Sequence, residues 1–283
     1  VAEVQALAAK GLLEANLVSQ DTIAYGRDLD GRPTLARLLR DLGDIEELAW
    51  IRVHYLYPET LKDELVDLFR DHPKVLPYID MPLQHASDSM LRRMRRGHGG
   101  DRLRRVVDKL RSRIPNMVFR STFIVGHPGE TDDDFEELCR FIEWAEFDHV
   151  GVFTYSHEEG THAGDMEDLV PDKVAAARRN SLMALQGAIS RKKLRSHIGQ
   201  ELEVLVEGPS EESDFLFDGR FWGQAPEVDG KIILANGEAT AGTFRKAVVR
   251  DAAEYDLVAD LVGEGGDVDL PPGIERVRLP TVS

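Results

Sequence analysis

Val118-Phe119-Arg120-Ser121-Thr122-Phe123-Ile124-Val125 runs directly into Gly126-His127-Pro128-Gly129-Glu130-Thr131 and then Asp132-Asp133-Asp134-Phe135. An apolar run bounded by glycine and proline reads as a buried strand followed by a tight turn. Thr131 or Asp132 then offers an oxygen to cap a helix beginning there. Strand, turn, helix is the repeating unit of a parallel α/β sheet.

The same unit recurs on both sides. Apolar runs at Ala15–Val18, Trp50–Leu56, Val75–Leu83 and His149–Tyr155 read as further strands. Between them Pro33–Leu42, Pro58–Phe69, Ser87–Met94, Asp101–Ile114 and Asp132–Ala145 carry helical periodicity. Right-handed crossovers make such strands parallel. The expected fold class is therefore α/β, a partial TIM-type (βα) barrel over residues 1–170; a doubly wound sheet shares the alternation. Pro171–His197 reads as one long helix, with Ala175, Leu182, Leu185 and Ile189 on one face, connecting the domains over 171–198. Residues 199–262 read as a small all-β barrel, with strands near Glu201–Glu207, Phe215–Gly223, Lys231–Leu234 and Arg245–Asp251. Residues 263–283, rich in Gly, Pro and Asp, are expected to form a disordered tail. Val1–Lys10 reads as a helix without an N-terminal cap, so a preceding segment is expected.

The totals exclude several classes. The 283 residues carry a net charge of −16, opposite in sign to most nucleic-acid binders. No run of eighteen apolar residues suggests a membrane span. The single cysteine, Cys139, makes neither a disulfide nor a cysteine-based metal site, and a cytoplasmic location is expected. Phosphate-loop and serine-elbow motifs are absent, and the His157–His162 spacing does not fit a helical zinc pair.

In (βα) barrels chemistry sits where strands end. Here those ends carry Ser19-Gln20-Asp21-Thr22, His54-Tyr55, Gln84-His85-Ala86-Ser87-Asp88, Gly126–Glu130 and Tyr155-Ser156. Arg120 lies within an apolar strand and needs a carboxylate partner, from protein or ligand. Small Gly126 and Gly129 would let a flat ring approach the backbone. The plainer readings make Ser87 a helix cap and His54 and His85 hydrogen-bonded core histidines. The cluster Arg92-Arg93-Met94-Arg95-Arg96, with Arg102, Arg104 and Arg105, reads as a solvated face, with an acidic partner or RNA as the alternative.

These motifs resemble the radical S-adenosylmethionine (SAM) methylthiotransferase family. The likeness is carried by Asn16–Thr22 with Tyr25-Gly26, Trp50–Val53 with Tyr55–Pro58, Pro82–Asp88, Ile124–Thr131, Phe153–Ser156 with Glu158–Thr161, and a TRAM-like Pro226–Gly230. The Ser19-Gln20-Asp21-Thr22 wording is similar to the RimO type, which modifies a basic small-subunit ribosomal protein, S-twelve. The tRNA-modifying MiaB type is the alternative, with a cluster-free barrel enzyme and a non-catalytic binding module behind it. Charge separates the first two. Fourteen acids face five bases between Gly199 and Val262, which would repel tRNA and attract a basic protein.

The resemblance implies SAM as cofactor and two 4Fe-4S clusters in the full-length protein, with reductive SAM cleavage, hydrogen abstraction from an aspartate β-carbon and methylthio insertion. It places Gln20 and Asp21 at the barrel mouth. Gln84 and Ser87 would lie on the SAM ribose or methionine part, and Arg120 on the SAM carboxylate or a neighbouring acid. Gly126, Gly129 and Glu130 would hold adenine through backbone groups, and Tyr155 would line the rim. The family's CxxxCxxC loop is not in this sequence, so no metal ligand and no catalytic residue is assigned here; the chain is expected to be a fragment inactive alone. The acidic TRAM domain is the expected docking surface for S-twelve, and a monomer is expected.

Overall fold

The computed structural model describes residues 1–58 and 60–263. The tail expected from 263 on lies outside these residues, apart from Gly263. Among the described residues no helix is long and apolar enough to cross a membrane.

Strand–helix alternation is realised as α1 (Ala2–Ala8), β1 (Glu14–Leu17), α2 (Leu35–Gly43), β2 (Trp50–Val53), α3 (Asp63–Asp71), β3 (Tyr78–Asp80), α4 (Asp88–Arg93), α5 (Gly100–Arg113), β4 (Val118–Val125), α6 (Asp132–Ala145) and β5 (His149–Thr154). β3, β4 and β5 form a parallel sheet. β1 and β2 pair, and the bonds Trp50 N–H to Leu13 O and His54 N–H to Leu17 O advance along both strands together, so this pair is parallel too. The amide of Leu56 donates to Asp80 O (2.8 Å), joining the end of β2 to the end of β3. The five strand ends are thereby lined up in chain order.

Two strands are shorter than their apolar runs. β3 is confined between Pro77 and Pro82, which have no amide hydrogen to donate to a ladder. β2 stops at Val53 because Tyr55 turns left-handed (φ 57°). The core beneath β4 is aromatic: Phe119 and Phe123 pack on Phe147, at centroid distances of 4.9 and 5.7 Å.

α7 (Asp172–Arg195) precedes β6 (Glu201–Pro209), β7 (Phe217–Arg220), β8 (Ile232–Ala235), β9 (Phe244–Ala252) and β10 (Leu257–Leu261). These five strands close into a barrel in the order β10-β8-β7-β6-β9. Four were legible from apolar runs; β10 was not. Its inward residues Leu257, Ala259 and Leu261 alternate with Val258 and Asp260, and it closes the barrel by pairing parallel to β8 and antiparallel to β9. Closure removes the exposed edges that β8 and β9 would otherwise present.

By contacts the chain falls into two compact units. One comprises Val1–Ala15, Asp41–Arg52 and the chain from Ser190 on; the other comprises Asn16–Arg40 and Val53–Ile189. The first unit is held by a buried charge network. The Glu14 carboxylate accepts from Arg52 Nε (2.8 Å) and pairs with Arg220 (2.8 Å). Arg220 also donates to Glu207 (2.5 Å), and both guanidinium groups donate to Gln224 O (3.1 and 3.0 Å). Burial opposes the Arg220 charge, but Glu14 and Glu207 outweigh it and raise its pKa. Breaking a buried charge set by removing one partner costs far more than a surface pair is worth. Glu14→Gln should therefore lower the unfolding free energy by about 3–5 kcal/mol in denaturant titration. Loss of the surface pair Arg250–Asp260 (2.7 Å) through Asp260→Asn should cost under about 1 kcal/mol.

Candidate functional site

The site lies in the second unit, where β3, β4 and β5 end. A cavity of about 690 Å³ opens there, bordered by Gln84, Ile124, His127 and Phe153–Ser156 on the strand side. That volume suits a nucleoside-sized ligand.

Gln84 is placed by backbone pairing that resumes after Pro82. Its N–H donates to Thr122 O and its carbonyl accepts from Ile124 N–H, both at 2.8 Å. The residue adopts φ 70°, left-handed without being glycine. Tyr155 follows β5, its amide bonded to Val125 O (2.9 Å). Its ring meets His127 edge-on, with centroids 5.3 Å apart. The Tyr155 hydroxyl is buried and finds no hydrogen-bond partner among the described residues. Burial pushes the His127 imidazole down from its usual range, while its Nδ1 lies 3.0 Å from Pro128 O.

The turn after β4 is closed from within. The Glu130 carboxylate, fully buried, accepts from Gly126 N–H (2.5 Å), Arg178 (2.7 Å) and His85 Nε2 (3.1 Å). Ser87 N–H donates to His85 Nδ1 (3.1 Å), which leaves the His85 proton on Nε2, facing Glu130. Arg178 also reaches Asp132 (2.6 Å). Gly129 N–H donates to Asp168 O (2.7 Å). The amides of Gly126 and Gly129 are thus engaged inside the protein. Their lack of a side chain has a local reason: a Cβ on Gly126 would strike the Cβ of Ala175, and one on Gly129 would strike Arg93 and Asp168.

Ser87 is buried, caps α4 and donates to Asp134. Ser89 and Thr131 donate to the same carboxylate, and Thr131 with Asp134 forms the capping box of α6. Arg120 meets Asp80 at 3.1 Å, and Asp80 also bonds His54 Nδ1 (2.9 Å). The neighbouring acid expected for Arg120 is therefore Asp80. Gln20 is exposed and Asp21 half-buried on the loop after β1, tied down where Thr22 donates to His54 O (2.6 Å). The structure brings Gln84 and Tyr155 together at the cavity, with Gly126, Gly129 and Glu130 in the turn beside it. Ser87, Arg120, Gln20 and Asp21 do not line it.

Sequence reading missed the opposite wall. Arg93, Arg95 and Arg96, taken for a solvated face, line the cavity. Arg104, from the same cluster, stacks on Phe141 and Trp144.

The chain matches the family model described as "Radical SAM superfamily" over residues 1–142, half its length. The chain belongs to the radical SAM superfamily. A TRAM domain model matches residues 198–262, the small barrel. A RimO from Sorangium cellulosum (strain So ce56), named a ribosomal protein uS12 methylthiotransferase, is 54% identical over 97% of this chain and 58% of its own length. Relatives of the same name from Anaeromyxobacter sp. (strain K) and Trichlorobacter lovleyi are 49% and 44% identical over 93% of this chain. The chain thus spans under two thirds of these relatives.

For this radical SAM chain the cavity fits SAM, given its size and the polar Gln84, Thr154 and Ser156 beside the rings of Tyr155 and His127 in its lining. An iron–sulfur cluster does not fit the residues present. Cys139 is the single cysteine in the sequence, it sits on α6, and burial, with Glu143 and Glu136 nearby, pushes its thiol up, away from the thiolate a cluster needs. Among the described residues no group of three His, Cys, Asp or Glu could hold a metal ion.

Two outcomes follow from the buried carboxylates. Arg178→Met leaves Glu130 with less compensation and should destabilise the protein by about 3–5 kcal/mol in denaturant unfolding. Burial would raise the Asp134 pKa, but hydrogen bonds from Ser87, Ser89 and Thr131 outweigh it and hold the carboxyl far below its ordinary 3.8. A depressed folded pKa adds stability above the unfolded value and loses it as pH falls toward the folded one. The wild type should therefore lose more stability than Asp134→Asn as pH drops below about 4, measured by thermal unfolding across pH.

Proposed function

We propose that this chain is the SAM-binding barrel and TRAM portion of a methylthiotransferase of the RimO type, which adds a methylthio group to the β-carbon of an aspartate in the basic ribosomal protein S-twelve. The observation that carries it is the cavity at the ends of β3, β4 and β5, lined by Gln84, His127 and Tyr155. The sequence likeness to RimO relatives supports the specific chemistry.

When bound, SAM supplies the methyl carbon of the transferred group and the means of hydrogen abstraction. The cluster ligands would come from residues outside this chain. The chain's own residues bind and orient. Gln84 offers amide groups to the sugar or methionine part, and Tyr155 offers its ring as part of the cavity wall. The turn Gly126–Glu130, fixed by Glu130 itself, forms the adenine side through its shape. Ser87 and Arg120 act behind this surface, holding α4 against α6 and β4 against β3. Gln20 and Asp21 stand on the loop after β1, toward the substrate. The cytoplasm, where ribosomes are, is the proposed location.

The TRAM barrel is read as the docking surface for S-twelve. Four of its five bases, Arg220, Lys231, Lys246 and Arg250, are already ion-paired to acids. Few cations are left for tRNA phosphates, while the acidic excess attracts a basic protein.

The test uses the full-length protein with reconstituted clusters. Tyr155→Ala and Gln84→Ala should each weaken SAM binding about 5–10-fold by calorimetry, on the scale of one lost contact of about 1–1.5 kcal/mol. Cross-linking should capture S-twelve and not tRNA, with capture falling as salt rises. Unchanged SAM affinity in both variants, or capture of tRNA alone, defeats the reading.

A further inference from the structure

Three arginines at and just after the end of α4 line the cavity together with the strand-end residues, and the protein treats them differently. Arg93 is neutralised by Asp168 at 2.8 Å. The Arg96 guanidinium rests on the Tyr57 ring, 5.6 Å from its centroid. Among the described residues neither Arg95 nor Arg96 has an acidic side chain within ion-pair distance, and Glu158 is the one acid lining the cavity. Arg95 stands in left-handed backbone (φ 53°), an uncommon state for a residue that is not glycine.

Depth orders the cavity. His127 is buried and the Tyr155 hydroxyl is sealed, which marks the inner end. Arg95, Glu158 and His162 are exposed, as are Phe153, Thr154 and Ser156 at the end of β5, and together they rim the mouth. A protein substrate enters by the mouth and meets the arginines.

We infer that Arg95 and Arg96 read the acceptor residue, taking the carboxylate of the target aspartate as its side chain enters the cavity. This rests on the function proposed above. The charge pattern argues for it. A chain of net charge −16 attracts a basic protein from a distance, yet at the cavity two unneutralised guanidinium groups outnumber the one acid, Glu158, and repel that protein locally. The repulsion reverses only if the residue that enters is anionic. A guanidinium fork matches a carboxylate in two parallel hydrogen bonds, which an asparagine amide cannot reproduce. The arginines would thus serve as a filter against the many neutral and basic side chains of the same substrate. The carboxylate of SAM has the same chemistry, so the two sources must be separated by measurement.

The experiment uses full-length protein with reconstituted clusters, as wild type, as Arg95→Gln/Arg96→Gln and as Arg95→Lys/Arg96→Lys. SAM affinity is read by calorimetry. Binding of a peptide carrying the acceptor aspartate, and of its asparagine counterpart, is read in the presence of SAM. The wild type should prefer the aspartate peptide by about tenfold or more, the scale of one charge-assisted pair. The glutamine variant should lose that preference while SAM affinity stays within about twofold, and the lysine variant should recover part of it. Both arginines lie at the surface or partly so, and matching melting temperatures would show that the fold is intact. Retention of the aspartate preference in the glutamine variant overturns the inference alone, as does a fall in SAM affinity with the preference unchanged. A wild type without preference for aspartate overturns the functional reading itself, and does so before any variant is made.

Discussion

Glu130 is a carboxylate whose side chain is closed off from solvent. Taken from water, such a charge is tolerable only if several donors replace the solvent. Gly126 N–H supplies one from the turn, His85 another from the segment after β3, and Arg178 a third from α7. Three stretches that are distant in sequence therefore converge on one side chain. The inner end of the cavity is built from what lies beside them: Gln84 precedes His85, and His127 and Tyr155 flank the turn. Asp134 repeats the device one helix on, gathering Ser87, Ser89 and Thr131. Cavity shape follows from where two buried anions find their donors.

This explains which parts of the molecule were legible in the sequence. Strand–turn–helix order could be read because it is written locally, in apolar runs, in Gly126 and Gly129, and in Thr131 or Asp132 as a helix cap. The cap at Ser87 and the core roles of His54 and His85 were legible for the same reason. The partner of Glu130 was not. Arg178 lies 48 positions away on a helix whose apolar face, Ala175 to Ile189, was all that the pattern revealed. Gly126 shows the limit well. Its smallness was read as room for a ligand, whereas the atom that fills the space is the Cβ of Ala175.

The arginine cluster was misplaced by the same limit. A run such as Arg92–Arg96 is usually a wetted helix face, and Arg104 partly behaves that way by lying over Phe141 and Trp144. What aims Arg95 and Arg96 at the cavity is the end of α4 after Arg93 and the left-handed turn at Arg95. A helix one turn longer would have carried them elsewhere. β10 escaped for a different reason. Its alternation is present, but five residues with an acid among them gain strand character only from β8 and β9 on either side.

The left-handed residues add a last constraint. Tyr55, Gln84 and Arg95 all adopt positive φ without being glycine. Each such residue costs on the order of 1 kcal/mol or more and persists only where the surroundings overdetermine it. At Gln84 the overdetermination is visible, since both its N–H and its carbonyl are locked into the edge of β4. Glycine would relieve that strain at once, and glycine is what the chain uses at Gly126 and Gly129, where no side chain has room. At Gln84 and Arg95 the chain accepts the strain and keeps the side chain, and both side chains border the same cavity. Among the left-handed non-glycine residues, these are the two whose side chains border the cavity, one at the strand end and one near its mouth.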